Sequence, residues 1–174
     1  VVMCDVSKFY FDLAYNKDPR EPGLYWGGYC DTRDAWLFAP YNSFVTNLKT
    51  SGGKPLDPEK DFAGLERLRP VARKNIIGLQ SQLWGETIKG PQMAEYYILP
   101  KLPAFAETAW CQPRPWENET NAVKRQKLME EGWNLFANRL GKSELPRLSG
   151  LFGGFTYRVP PPGAIVEGGV LKAN

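Results

Sequence analysis

The chain has 174 residues, of which 43% are hydrophobic and 24% charged, enough for one ordinary domain with a sizeable core. Its net charge of +3, with bases interleaved among acids as in Glu66-Arg67-Leu68-Arg69, argues against a nucleic-acid or anionic-membrane surface. It contains no histidine, which excludes a Ser-His-Asp triad, a Cys-His dyad and a histidine-ligated metal within it.

The chain opens on Val1-Val2-Met3-Cys4, a short buried-strand pattern without a start methionine or signal peptide. Phe9-Tyr10-Phe11-Asp12-Leu13 follows as an extended aromatic segment, and Asn16 to Gly23 is dense with turn formers. Leu24-Tyr25-Trp26-Gly27-Gly28-Tyr29 reads as a loop wall or a short strand. Thr32 to Phe38 suggests a helical turn ahead of Pro40, and Thr50 to Pro55 an exposed loop. Ile76 to Leu83 is a second strand. Pro91 suits the first turn of a helix running to about Trp110, which Pro100 and Pro103 must kink or split because each lacks an N–H. A further helix is expected from about Glu119 to Leu140, with Met129, Trp133, Phe136 and Leu140 on one face and Gly141 as its stop. Tyr157 to Gly163 reads as a stiff connector, with Ala164-Ile165-Val166 starting a new β-unit. The final Gly168 to Asn174 reads as a strand beginning, and both ends look cut from something longer.

Cys4, Cys30 and Cys111 form no CxxC pair and read as buried or incidental thiols. No segment is apolar enough to span a membrane as a helix. Six tryptophans are unusual; most are expected in the core, yet an aromatic-rich cleft is also compatible.

The most informative stretch is Gly78-Leu79-Gln80-Ser81-Gln82-Leu83-Trp84-Gly85-Glu86-Thr87. Positions two apart in an extended segment point the same way, so Trp84 and Glu86 can reach one ligand if that geometry persists. A flat aromatic face stacks on the C–H groups of a sugar ring, and a carboxylate accepts bonds from its hydroxyls. Strand, long loop, strand, helix, helix is the order of part of a β/α barrel, where loops after the strands carry the chemistry. Tyr10, Asp12, Trp84 and Glu86 all fall at or just beyond an expected strand end.

Tyr10-Phe11-Asp12-Leu13, Gly23-Leu24-Tyr25-Trp26, Leu83-Trp84-Gly85-Glu86, Tyr96 to Trp110 with its Ala-Glu-x-x-Trp end, and Tyr157 to Ala164 together resemble glycoside hydrolase family twenty, the β-N-acetylhexosaminidases of the bacterial chitobiase-like kind. The matching elements span nearly the whole chain in order. The resemblance implies an α/β fold class: the C-terminal portion of a (β/α)8 TIM barrel, about its last two β/α units, plus C-terminal helices and the start of a following β-domain. Residues 1–156 would belong to the catalytic barrel, and 157–174 to the connector and the beginning of the β-domain. The family's Asp-Glu acid pair after a Gly-Gly has no counterpart in this sequence, so it is expected outside this chain.

The implied chemistry is substrate-assisted and retaining, removing terminal N-acetylhexosamine from glycans or chitin oligomers without a metal or organic cofactor. By resemblance, Tyr10 donates its hydroxyl to the acetamido oxygen and Trp84 floors the terminal sugar. Glu86 accepts bonds from its O4 and O6 hydroxyls, Asp12 adds polar contacts at the same end, and Trp26 stacks on the next sugar. Trp36, Trp110, Trp116 and Trp133 are expected to be structural. The implied partners are an N-acetylhexosamine-containing glycan and the remainder of the barrel, with no nucleic acid and no membrane. A periplasmic or secreted location is the family-level expectation, and this piece alone is expected to oligomerise or stay loosely packed. A competing class is a non-catalytic carbohydrate-binding module that uses Trp26 and Trp84 as platforms.

Overall fold

The two apolar runs of the sequence pair with each other. In a computed structural model describing residues 1–161 and 163–173, β1 (Val2–Met3) and β2 (Gly78–Leu79) lie parallel, with Val2 opposite Gly78 and Met3 opposite Leu79. Pro162 in the expected connector and Asn174 at the chain end lie outside the described residues. The main chain extends the ladder at both ends. The Ile77 N–H donates to the Val1 carbonyl at 3.0 Å and the Gln80 N–H to that of Met3 at 2.9 Å.

A single helical turn, α1 (Val6–Phe9), then interrupts the pairing. Asp5 starts it, its carboxylate accepting from the Ser7 N–H at 2.9 Å in an N-cap bond. Pairing resumes beyond the turn: Gln82 donates to the Phe9 carbonyl and Phe11 to that of Gln82, both at 2.8 Å, with Tyr10 bridging Gln82. Phe9 to Leu13 is therefore not the single extended run that its aromatic pattern suggests. Phe9 closes a capped turn, and its ring is buried.

The helical layer follows. A capping box of Asp31 and Asp34 opens α2 (Thr32–Leu37), close to the expected span. A short α3 (Pro58–Asp61) lies in the long loop. Pro100 splits the next helix into α4 (Pro91–Ile98) and α5 (Lys101–Trp110). Pro103 does not kink α5, because it sits in the first turn, where an N–H has no intrahelical acceptor. Asn121 caps α6 (Ala122–Arg139), its side chain accepting from the Lys124 N–H at 3.0 Å. Gly141 is no stop. A π-helical stretch, Leu140–Glu144, carries the backbone on into α7 (Leu145–Gly150). Continuation buries Leu140, Leu145 and Leu148 together with Leu99, a gain that a stop at Gly141 would forgo.

The core lies between the parallel pair and helices α2, α5 and α6. The Phe9 ring meets Phe38 and Phe105 edge-on, with centroids 4.9 and 5.2 Å apart. Trp36 packs against Trp116, Trp133 and Phe136 at 4.8, 5.5 and 5.9 Å. Met129 and Leu140 are buried and Trp133 and Phe136 partly so, as the helical spacing predicts. Trp110, expected among the structural tryptophans, is 87% exposed. Cys30 is buried, Cys4 and Cys111 are exposed, and all three thiols are free.

After the connector, β3 (Ala164–Glu167) and β4 (Val170–Ala173) form an antiparallel hairpin, Ala164 opposite Ala173. Among the described residues the fold is thus a partial α/β unit, one short parallel pair backed by helices, followed by a separate hairpin. It contains no closed barrel.

Candidate active site

The parallel ladder delivers Tyr10 and the Trp84 segment to one end of the sheet. Tyr10 is half-buried, its backbone held by the Gln82 bridge. Its ring stands edge-on to Trp26 (5.9 Å, 85° between planes) and tilted towards Trp84 (6.3 Å, 48°). Edge and tilted contacts of this kind add about 0.5–1.5 kcal/mol each beyond area burial. Trp26 and Trp84 remain 65% and 48% exposed, so most of their aromatic surface stays open to a ligand.

Trp26 reaches this cluster because the loop before it folds back on the Asp12 backbone. Leu24 donates to the Asp12 carbonyl at 3.0 Å, and Ala14 donates to that of Leu24 at 2.8 Å. Gly23 makes the approach possible. Its φ is +123°, and an added Cβ would stand 2.6 Å from the Ala14 nitrogen and 2.9 Å from the Asp12 carbonyl oxygen.

The extended geometry expected to align Trp84 with Glu86 ends at Trp84. Gly85 bends the chain, Glu86 lies in a turn, and the Ile88 N–H bonds back to the Gly85 carbonyl at 3.3 Å. Glu86 is exposed, two residues beyond Trp84, and its charge contributes to the raised pKa of the Asp12 carboxyl. The turn is tethered by a 3.1 Å hydroxyl–hydroxyl bond between Thr87 and Tyr97, the latter fully buried in α4.

Asp12 is only 1% exposed. Burial raises its pKa above the ordinary carboxylate value. The charge of Glu86 adds to this, while the Asp12 and Trp84 N–H groups and the Lys101 ammonium oppose it. Neither carboxylate oxygen has a partner of ordinary hydrogen-bond geometry among the described residues. A buried acceptor left unmade costs about 1–3 kcal/mol, and a charged one more.

The structure therefore brings together all five residues singled out from the sequence: Tyr10, Asp12, Trp26, Trp84 and Glu86. It adds two that were not foreseen, Tyr97 beneath the Glu86 turn and Lys101 beneath Asp12. A signal for Lys101 exists. Met93, Tyr97, Phe105 and Ala109 recur at a spacing of four, and Lys101 occupies the missing position of that apolar stripe. A larger concavity lies elsewhere among the described residues. It is an open groove of about 910 Å³ among α5, α6, α7 and the Gln112–Pro115 loop, lined mainly by apolar helix faces that include Trp110 and Leu135. None of the five residues lines it.

The site is thus an open aromatic cluster close to a buried carboxylate, at one end of a parallel strand pair on an α/β scaffold. Residues 1–113 match glycosyl hydrolase family 20, catalytic domain, and residues 144–174 match the chitobiase/beta-hexosaminidase C-terminal domain. The chain belongs to glycosyl hydrolase family 20. It is 35% identical to the N,N'-diacetylchitobiase of Vibrio harveyi over 185 residues, covering all of this chain and 20% of that protein. It is 30% identical to a beta-hexosaminidase of Vibrio vulnificus over 189 residues, covering 98% of this chain and 21% of that protein. The chain thus spans about a fifth of the length of these curated relatives. In fold it is similar to a GH20 exo beta-N-acetylglucosaminidase from Vibrio harveyi solved with N-acetylglucosamine. The TM-score is 0.50 at 24% identity, over 92% of this chain and 19% of that one. That family is built on a TIM barrel; the described residues of this chain form a partial α/β unit.

Proposed function

We propose that this chain is the C-terminal part of the catalytic barrel of a retaining β-N-acetylhexosaminidase, carrying its last two β/α units. Residues 1–156 belong to that barrel, and 157–174 to the connector and the start of a β-domain. The whole enzyme removes terminal N-acetylhexosamine from glycans or chitin oligomers, in a periplasmic or secreted setting. The observation that carries this reading is the Tyr10 ring set against the two open tryptophans Trp26 and Trp84, two residues from the buried Asp12.

In the reaction, the substrate's own acetamido oxygen attacks the anomeric carbon as the glycosidic bond breaks, giving an oxazolinium-like intermediate that water then opens. Two displacements at one carbon retain its configuration. The leaving oxygen takes its proton from an acid supplied by the remainder of the barrel. Tyr10 donates its hydroxyl to the acetamido oxygen. Because the Gln82 ladder holds the Tyr10 backbone beforehand, little reorganisation is needed as charge develops. Trp84 floors the terminal sugar, and Glu86 and Asp12 accept from its hydroxyls. Charge assistance makes such bonds roughly twice as strong as neutral ones. Trp26 stacks on the following sugar. No metal or organic cofactor takes part.

The test is hydrolysis of a chromogenic N-acetylglucosaminide by this chain alone, by the full-length protein, and by the full-length protein bearing Tyr10→Phe or Glu86→Ala. Turnover only in the full-length protein, reduced by both substitutions, is the expected result. A folded full-length protein that binds N-acetylglucosamine without turning over any substrate would make the site a binding module instead.

A further inference from the structure

We propose that Lys101 is the positioning residue of this site, fixing where the Tyr10 hydroxyl and the Asp12 carboxylate stand. Lys101 opens α5 and is fully buried. Its ammonium donates to the carbonyls of Phe11 and Leu13, each at 2.9 Å, the two residues on either side of Asp12. Neither carbonyl has another partner among the described residues. The Tyr15 ring lies against the ammonium, 3.8 Å from nitrogen to centroid.

Stability alone does not account for a lysine here. Its place in the apolar stripe would suit a leucine or methionine, and burying an ammonium without a carboxylate partner costs several kcal/mol. Among the described residues no ion pair offsets that cost; two carbonyl bonds and an aromatic face do. The return is geometric. Beyond the Gln82 bridge the chain leaves the ladder in a turn, closed by the Leu13 N–H on the Tyr10 carbonyl at 3.2 Å, and Leu24 then pairs with the Asp12 carbonyl. Lys101 takes up the two carbonyls these bonds leave over, those of Phe11 and Leu13, and so fixes the main chain on either side of Asp12. Tyr10, one residue before the first clamped carbonyl, is held on one side by Gln82 and on the other by this clamp.

The clamp is itself braced. The Tyr15 hydroxyl lies 3.0 Å from the carbonyls of both Tyr96 and Leu99, and the Arg158 guanidinium also stacks on the Tyr15 ring at 4.5 Å. Burial lowers the pKa of Lys101, and the more distant carboxylates of Asp31, Asp12 and Glu21 oppose that shift.

This inference rests on the sugar-site reading above, so its test separates the two. Lys101→Met is made in the full-length enzyme, alone and with Tyr10→Phe. Kinetic constants for the chromogenic N-acetylglucosaminide are measured per folded molecule, with the fraction folded taken from thermal unfolding. The expected result is a loss of kcat of about ten- to a hundredfold in the wild-type background. In the Tyr10→Phe background the same change should cost less than about threefold, because the group being positioned is already gone. Equal losses in both backgrounds, or a kcat within about twofold of wild type, would overturn the proposal. A Tyr10→Phe enzyme of undiminished activity would instead overturn the role given to Tyr10, and the same cycle against Asp12→Asn then decides Lys101. If Lys101→Met does not fold, Lys101→Cys, made in an active background whose other cysteines are replaced by alanine or serine, is alkylated with 2-bromoethylamine while unfolded and then refolded, which restores an ammonium on a chain of the same length. Recovered kcat supports the clamp; a refolded, alkylated enzyme without recovered kcat refutes it.

Discussion

Two pairs of tryptophans in this chain share a side chain and little else. Trp36 and Trp116 are buried against each other, with the Arg114 guanidinium 4.6 Å from both rings and the Trp116 N–H donating to the Leu37 carbonyl at 3.1 Å. Trp26 and Trp84 stand at the end of the parallel pair, each touching the edge or tilt of Tyr10 and otherwise open. In the core every face of the indole has a neighbour, so the residue is worth its burial. At the site the indoles are oriented but not covered. Open apolar surface held in a fixed orientation is surface kept for something else.

The comparison can be broken most directly through chemistry. In the full-length enzyme Tyr10→Phe is expected to lower kcat by about a hundredfold, the scale of losing one preorganised donor, while leaving the unfolding temperature nearly unchanged. Steady-state kinetics and a thermal melt on the same samples check both halves. Next in size, Trp116→Ala should cost about 3–5 kcal/mol of stability by emptying a packed site, whereas Trp84→Ala should stay within about 0.5 kcal/mol and lose N-acetylglucosamine affinity instead. Urea unfolding and calorimetric titration distinguish the two; a large stability loss for Trp84→Ala would place it with the core tryptophans.

A smaller effect concerns Asp12. Its folded pKa is raised above the ordinary 3.8, chiefly by burial. A raised carboxyl contributes stability that is fully present below the unfolded pKa and lost as pH rises through the folded one. Asp12→Asn removes that dependence. The variant should therefore gain stability relative to wild type as pH rises from about 4, measured by unfolding across pH. Smallest of all, Trp26→Ala should weaken turnover of chitin oligomers with little effect on a small chromogenic glycoside, since the indole it removes would touch only the second sugar. Outside the full-length protein the exposed Val1, Val2 and Ile77 on the strand pair, with Trp110 and Leu135 at the groove, should drive this chain to associate. Light scattering checks this, and a monodisperse, cooperatively unfolding monomer would contradict it.

The readings that survived unchanged are those that depend on neighbours in sequence. The helical turn expected at Thr32 to Phe38 forms as Thr32–Leu37, Pro100 splits its helix, and the Met129, Trp133, Phe136 and Leu140 face follows the helical period. The neighbourhood of the five candidate residues was legible because motif elements in a fixed order carry spatial information that no single residue does. What failed is equally specific. Gly141 looked like a stop, but buried leucines on both sides of it pull the helix onward. Trp110 looked structural, but the described residues place nothing over it.

Composition and periodicity are local properties, and through them the sequence by itself determined most of the elements, while motifs in a fixed order gave the resemblance to the family that the comparisons show. The tertiary structure alone decided that Trp26 and Trp84 flank one tyrosine, that Glu86 bends out of its strand yet still acts on Asp12, and that a lysine lies beneath the site. A buried ammonium is stable only where two distant carbonyls and an aromatic ring converge on it, and convergence of that kind cannot be read along a chain.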